Sequence, residues 1–190
     1  MVLASEMEAF WNEVQANRAA LLKEVEGLSQ PQFDWRPGEK DWSVGEVIHH
    51  VTLAEINIGK LTTKLLREAE AAGALRPTPE GGVLFERLPP APAPGPAQAP
   101  RLIWPEHGRS KADLLAGIKA AREKSRVTFE RVAQIDPRPL VWKHEIFGDM
   151  HLGQYWTIIR LHDLQHLEQI QKIKTAPGFP PDLAERSQLG

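Results

Sequence analysis

No cysteine occurs among the 190 residues. Disulfides, thiolate zinc sites and a cysteine nucleophile are thereby excluded, and any metal has to be held by nitrogen and oxygen. An excess of one charge is lacking too. The 23 Lys and Arg stand against 25 Asp and Glu, a formal net charge of −2 with a pI near 6.4. Nucleic acid requires a concentrated basic surface and is not an expected partner; here the two signs interleave as on solvated helix faces. No apolar run has the length of a membrane span, so no membrane partner is expected. The opening "MVLASEMEAF" turns acidic at once. It has no basic segment followed by an apolar one, so no secretory signal is expected and the cytoplasm is the expected location.

What remains is enough for a core. A hydrophobic content of 42% over residues 1–190 fits a single domain. Residues 5–27 open with "SEME", a capping box, and then carry Met7, Phe10, Trp11, Val14, Leu21, Leu22 and Val25 near helical spacing. "LSQPQFDWRPGEKDW" reads as a loop. A second capping box, Ser43 to Glu46, opens a helix with an inner stripe of Val47, His50, Val51, Ala54, Ile58, Leu61 and Leu65, ending near Gly73. From Leu75 to Gly108 nine of the sixteen prolines accumulate, which no helix or central strand survives. An elongated crossover over the bundle is expected, with "VLF" and "LIW" as apolar footholds, in preference to a proline-rich ligand for another domain. Ser110 caps a third helix whose core positions are Leu114, Ile118, Ala121, Val127 or Ser125, Phe129 and Val132. "LVWKHEIFGDMHLG" is a short connection with a turn at Gly148 and room for a brief extended piece, and a fourth helix spans about 154–174. The pattern predicts an all-α four-helix bundle with one long proline-rich crossover at about 75–108.

Within the fourth helix, "RLHDLQHLEQIQKIK" raises a question of burial. Its apolar stripe is Tyr155, Ile159, His162, His166, Ile170 and Ile173, so two histidines occupy core positions. Residues four apart stand one above the other, with Cβ atoms roughly 5–6 Å apart. Imidazoles so placed can converge on one ion at about 2.0–2.1 Å from each nitrogen. The second helix adds His50 on its own inner stripe, with His49 beside it. A metal explains three inward histidines from two helices better than three separately bonded core imidazoles do. Three neutral nitrogens also leave coordination positions open, as catalytic zinc sites do. The paired inward carboxylates of E-x-x-H motifs are absent, which argues against a di-iron bundle.

"DWSVGEVIHHV" together with "LHDLQHLEQIQKIK" resembles the DinB/YfiT-like superfamily of four-helix-bundle metalloproteins. The histidine eight residues after Trp42 is His50, and the H-x3-H signature followed by glutamine maps onto His162, His166 and Gln169. The resemblance spans residues 5–70 and 110–175, without the proline-rich insertion. It implies a divalent metal, commonly zinc or nickel, on these three histidines at one end of the bundle. It also implies a small-molecule substrate and a homodimer. Related activities are thiol S-transfer to an electrophile, mycothiol-dependent isomerisation and metal-dependent hydrolysis.

Two mechanisms fit. A low-molecular-weight thiol on the metal has its pKa lowered, or a bound water is lowered toward about 7. Hydrolysis calls for a general base, for which Glu46, Asp163 and His151 are candidates. Glu46 has a simpler duty as capping partner. Asp163 falls off the inner stripe and is either a partner orienting a ligand histidine or plain surface charge. His151 is a candidate for the pocket mouth or for an extra ligand, Gln169 for a hydrogen bond to a ligand or substrate or else to backbone, and His107 and His144 for ordinary surface. Trp42, Trp104 and Tyr155 either wall a pocket or fill the core. The alternative function is a non-catalytic, metal-stabilised structural or binding bundle, or a stress-related dimer, with a fourth protein ligand closing the site.

Overall fold

The structure, a computed structural model, describes residues 5–79, 85–90 and 99–181. Long helices α1 (Ser5–Val25), α3 (Val44–Ala71), α4 (Lys111–Val132) and α5 (Leu152–Lys174) form a four-helix bundle. A short α2 (Gln30–Asp34) lies between the first two, and a hairpin of β1 (Val141–His144) and β2 (Gly148–His151) leads into α5. Helix α3 packs against both α4 and α5, and α1 packs against α5.

The helix ends follow from local chemistry. At the start of α3, Ser43 Oγ accepts from the Glu46 N–H at 3.2 Å and Glu46 Oε2 accepts from the Ser43 N–H at 2.9 Å. Each side chain thus satisfies a backbone donor that the first turn leaves unpaired. Replacing Ser43 with alanine is expected to cost about 1 kcal/mol, read as a lower midpoint in urea. Helix α3 stops at Gly73, whose φ of 63° only glycine adopts freely. There the Ala74 N–H reaches Ala69 O at 2.8 Å and the Gly73 N–H reaches Glu70 O at 3.1 Å, closing a Schellman motif.

One segment departs from the sequence reading and a second gives it definite form. The expected loop after α1 contains α2, because Gln32 Oε1 accepts from the Ser29 N–H at 2.8 Å and a proline sits in the first turn. The connection before α5 is an antiparallel hairpin pairing Val141 with His151 and His144 with Gly148. His144 is no idle surface residue: its Nδ1 accepts from the backbone N–H groups of Ile146 and Phe147 at 3.1 and 3.3 Å, capping the turn.

The interior is layered. One apolar cluster is built around Phe10, Trp11, Val14, Leu66, Phe129, Leu152 and Trp156. A second is built around Leu21, Phe33, Val47, Ile48, Val51, Ile118 and Ile170. Between them each long helix contributes one buried charged residue: Arg18, Glu55, Arg122 and Asp163. Arg18 donates to Glu55 at 2.7 Å and to Asp163 at 2.9 and 3.0 Å; Arg122 donates to Glu55 at 2.8 Å and to Asp163 at 3.0 Å. Two cations and two anions neutralise one another, and the remaining guanidinium N–H groups reach the carbonyls of Ile118 and Val14. Buried charge persists on those terms.

Of the expected core positions, Ser125 is buried while Val127 is exposed, and Leu22 and Leu61 are half-buried. In the crossover, Phe85 stacks on Phe10 with ring centroids 3.9 Å apart, whereas Val83, Leu84 and the proline-rich run 91–98 lie outside the described residues. Of the second foothold, Leu102 points outward, and Arg101–Ile103 form a single 3-10 turn against α3. Among the described residues no helix is long and apolar enough to cross a membrane.

Candidate metal centre

Helices α3 and α5 bring His50, His162 and His166 together. Their Nε2 atoms approach closely, His50 to His162 at 3.3 Å and His162 to His166 at 3.0 Å. One ligand-capable atom from each lies within 4.8 Å of the other two, and among the described residues no other His, Asp or Glu joins the group. The arrangement follows from helical spacing. His162 and His166 are one turn apart on the inner face of α5, and His50 faces them from the first third of α3.

The opposite ring nitrogens are held. His50 Nδ1 lies 2.9 Å from Ile103 O, and His166 Nδ1 lies 2.7 Å from Gln169 Oε1. Both acceptors are carbonyl oxygens, so in each ring Nδ1 carries the proton and Nε2 presents its lone pair to the centre. Gln169 thus bonds an imidazole of the cluster and not backbone. Burial pushes the His50 imidazole down to about 4, with the nearby His166 and His49 adding to the effect and the Ile103 carbonyl opposing it. Burial, then His166 and His50, drive His162 well below the ordinary histidine value. Burial likewise lowers His166, against its bond to Gln169. All three are neutral at pH 7, the form that binds metal.

The other candidates are placed as follows. Asp163 does not fall on the outer side: it is 1% exposed and held by Arg18 and Arg122. The four-residue step from Ile159 carries it inward with the stripe, and the surface-charge reading is corrected. Glu46, 3% exposed, is fully engaged: it binds the Ser43 N–H and pairs with both nitrogens of the Arg36 fork, and its Oε2 lies 3.2 Å from His107 Nδ1. Burial pushes its carboxyl up, but Arg36 and Ser43 outweigh that and leave it below the ordinary value. His151 stands at the N-cap position of α5, where its backbone N–H donates to Gln154 Oε1 at 3.1 Å and its ring makes no capping bond. It precedes His162 by eleven residues, about 16 Å of helix at 1.5 Å per residue, too far to share an ion. Tyr155 belongs to the first apolar cluster and donates its hydroxyl to Trp142 O at 3.3 Å, so it is core and does not wall the histidines. Trp42 does: its ring centroid is 4.8 Å from that of His50, with the half-exposed Trp104 edge-on to it at 5.8 Å.

Sequence reasoning missed three participants. His49, read as a flanking residue, accepts the Glu106 N–H on Nδ1 at 2.9 Å. His107 is exposed, as read, and in addition contacts Glu46. Arg36 lies in the segment read as loop, and nothing in its spacing announces an ion pair with Glu46.

Fold and site together define a four-helix bundle with three inward histidines from two helices. The chain belongs to the DinB superfamily, whose family model matches residues 13–170. It is similar to the uncharacterised protein YuaE of Bacillus subtilis (strain 168), with 24% identity over 156 residues, 80% of this chain and 88% of YuaE. Its fold is similar to that of TT2238, a four-helix bundle protein known from a crystal structure. The TM-score is 0.59 at 19% identity, covering 87% of this chain and 98% of that one.

Proposed function

We propose that the chain holds one divalent metal ion on His50, His162 and His166 and works as a metal-dependent enzyme on a small molecule, by thiol transfer in preference to hydrolysis. The observation that carries the metal reading is the packing of three Nε2 atoms against one another. With Nδ1 protonated on His50 and His166, only His162 has a proton to offer, and it can satisfy one neighbour. A cation satisfies all three lone pairs at once. An all-imidazole donor set suits zinc or nickel, and three protein ligands leave room for a substrate atom.

The choice between chemistries rests on the surrounding carboxylates. Bound at this site, the metal would supply a lowered pKa to a coordinated thiol or water. Hydrolysis also wants a free general base, yet Glu46 and Asp163 are both occupied by arginine. Thiol transfer needs less: a thiol held by His50, His162 and His166 through the metal would give its proton to solvent water, and its sulfur could then bond to an electrophilic carbon whose leaving group departs with the displaced electron pair. Trp42 and Trp104 present an apolar wall to a substrate beside His50. A cytoplasmic location and a homodimeric assembly belong to the same proposal.

The test is a pair of assays on untagged protein loaded with zinc or nickel. One offers a small thiol with a chlorodinitrobenzene, the other an activated ester. Metal-dependent thioether formation, lost on chelation and outrunning ester cleavage, is the expected result. Absence of turnover with either metal contradicts the enzyme reading and leaves the metal-stabilised bundle.

A further inference from the structure

Three consecutive hydrogen bonds tie the end of the crossover to one face of α3. Ile103 O takes the Nδ1–H of His50 at 2.9 Å, the Glu106 N–H donates to His49 Nδ1 at 2.9 Å, and His107 Nδ1 meets Glu46 Oε2 at 3.2 Å. The segment runs back along the helix toward its N-terminus as it makes them. Trp104, half-exposed, closes edge-on against Trp42, which in turn packs on the His50 ring. We propose that residues 103–107 are a strap belonging to the metal centre, with the Ile103 main-chain carbonyl as the positioning group of His50, so that strap seating and metal occupancy are linked. This rests on reading the three imidazoles as ligands.

The two anchored imidazoles differ in how they are held. His166 is oriented by Gln169, three residues along its own helix, and that bond exists whenever α5 does. His50 is oriented by a backbone carbonyl 53 residues away, at the end of a proline-rich crossover. When the strap leaves, the Nδ1–H loses its acceptor and the ring is free to place its proton on Nε2, the atom the ion needs. Outer-shell partners of a metal-bound histidine typically alter affinity by about 10–100-fold. An ion favouring the seated strap by such a factor multiplies the ratio of seated to unseated strap by the same factor. The strap is open to such control because it is held by a few partly exposed contacts and by no long helix.

The test measures amide hydrogen exchange in the peptide spanning residues 101–109, with and without zinc. It also measures zinc affinity in a Trp104→Ala/His107→Ala variant, both positions being at least partly exposed. Zinc is expected to slow exchange in that peptide by about tenfold or more, and the variant is expected to bind zinc at least about tenfold more weakly. The thermal midpoint of the metal-free variant should match that of the metal-free parent, which separates a role at the site from a role in folding. If the parent takes up neither zinc nor nickel, the metal reading fails and the strap with it. If it takes up zinc while strap exchange and variant affinity stay unchanged, the strap proposal alone is overturned.

Discussion

Replacing Asp163 with alanine is expected to lower stability by about 3–5 kcal/mol, a large part of the roughly 5–15 kcal/mol that separates a folded domain from its unfolded chain. The residue accepts from both Arg18 and Arg122, and all three side chains are at most 6% exposed. Without it two guanidinium groups share only Glu55, leaving buried positive charge without a counter-ion. A solvated surface carboxylate would change stability by less than about 0.5 kcal/mol, so urea titration of Asp163→Ala distinguishes the two outcomes clearly. Asp163→Asn should fall between, keeping hydrogen-bond acceptance but losing the charge. The same layer sets an acid limit. Burial raises the Glu55 carboxyl, but Arg18 and Arg122 more than reverse this and hold it below its ordinary 4.5. Its contribution is therefore complete above pH 4.5 and is lost as pH falls through the lower folded value. Glu55→Gln should be less stable at neutral pH and lose less on acidification, as followed by thermal midpoints from pH 7 downward.

Replacing His162 with alanine is expected to weaken metal binding by more than the roughly 100-fold that loss of an outer-shell partner causes. His162 is the middle imidazole, in contact with both others through Nε2. Its loss leaves two nitrogens on different helices and no shared centre. Gln169→Ala should fall inside the outer-shell range, because His166 keeps its place and loses only the acceptor of its Nδ1–H. Competition against a chromophoric chelator reads both variants, and far-UV circular dichroism checks that each remains helical. Equal affinities in the parent and His162→Ala would remove this residue from the site.

The bundle and the three histidines were legible because both depend on spacing within helices. Apolar residues at helical intervals named the inner faces, and an H-x3-H pair on such a face has one geometry open to it. The charged layer was hidden in the same pattern. Arg18 stands four residues after Val14, Glu55 after Val51, Arg122 after Ile118 and Asp163 after Ile159, each at the step that continues an inner stripe. A charge at that step reads as outward only when each helix is considered alone. Across four helices, two arginines and two carboxylates at equivalent steps balance, and that balance was the available signal. The strap had no such signal. Its bonds join positions more than fifty residues apart, two of them through backbone groups that side-chain identity does not reveal. The hairpin was only half legible, since Gly148 marks the turn while β1 is too short and exposed to show alternation.

The most direct measurement is the metal content of protein purified without a histidine tag, beside His166→Ala. Roughly one divalent ion per chain in the parent, lost in the variant, is the expected result. No ion in either protein after incubation with zinc, nickel or manganese would contradict it and leave His50, His162 and His166 as core residues of a helical bundle.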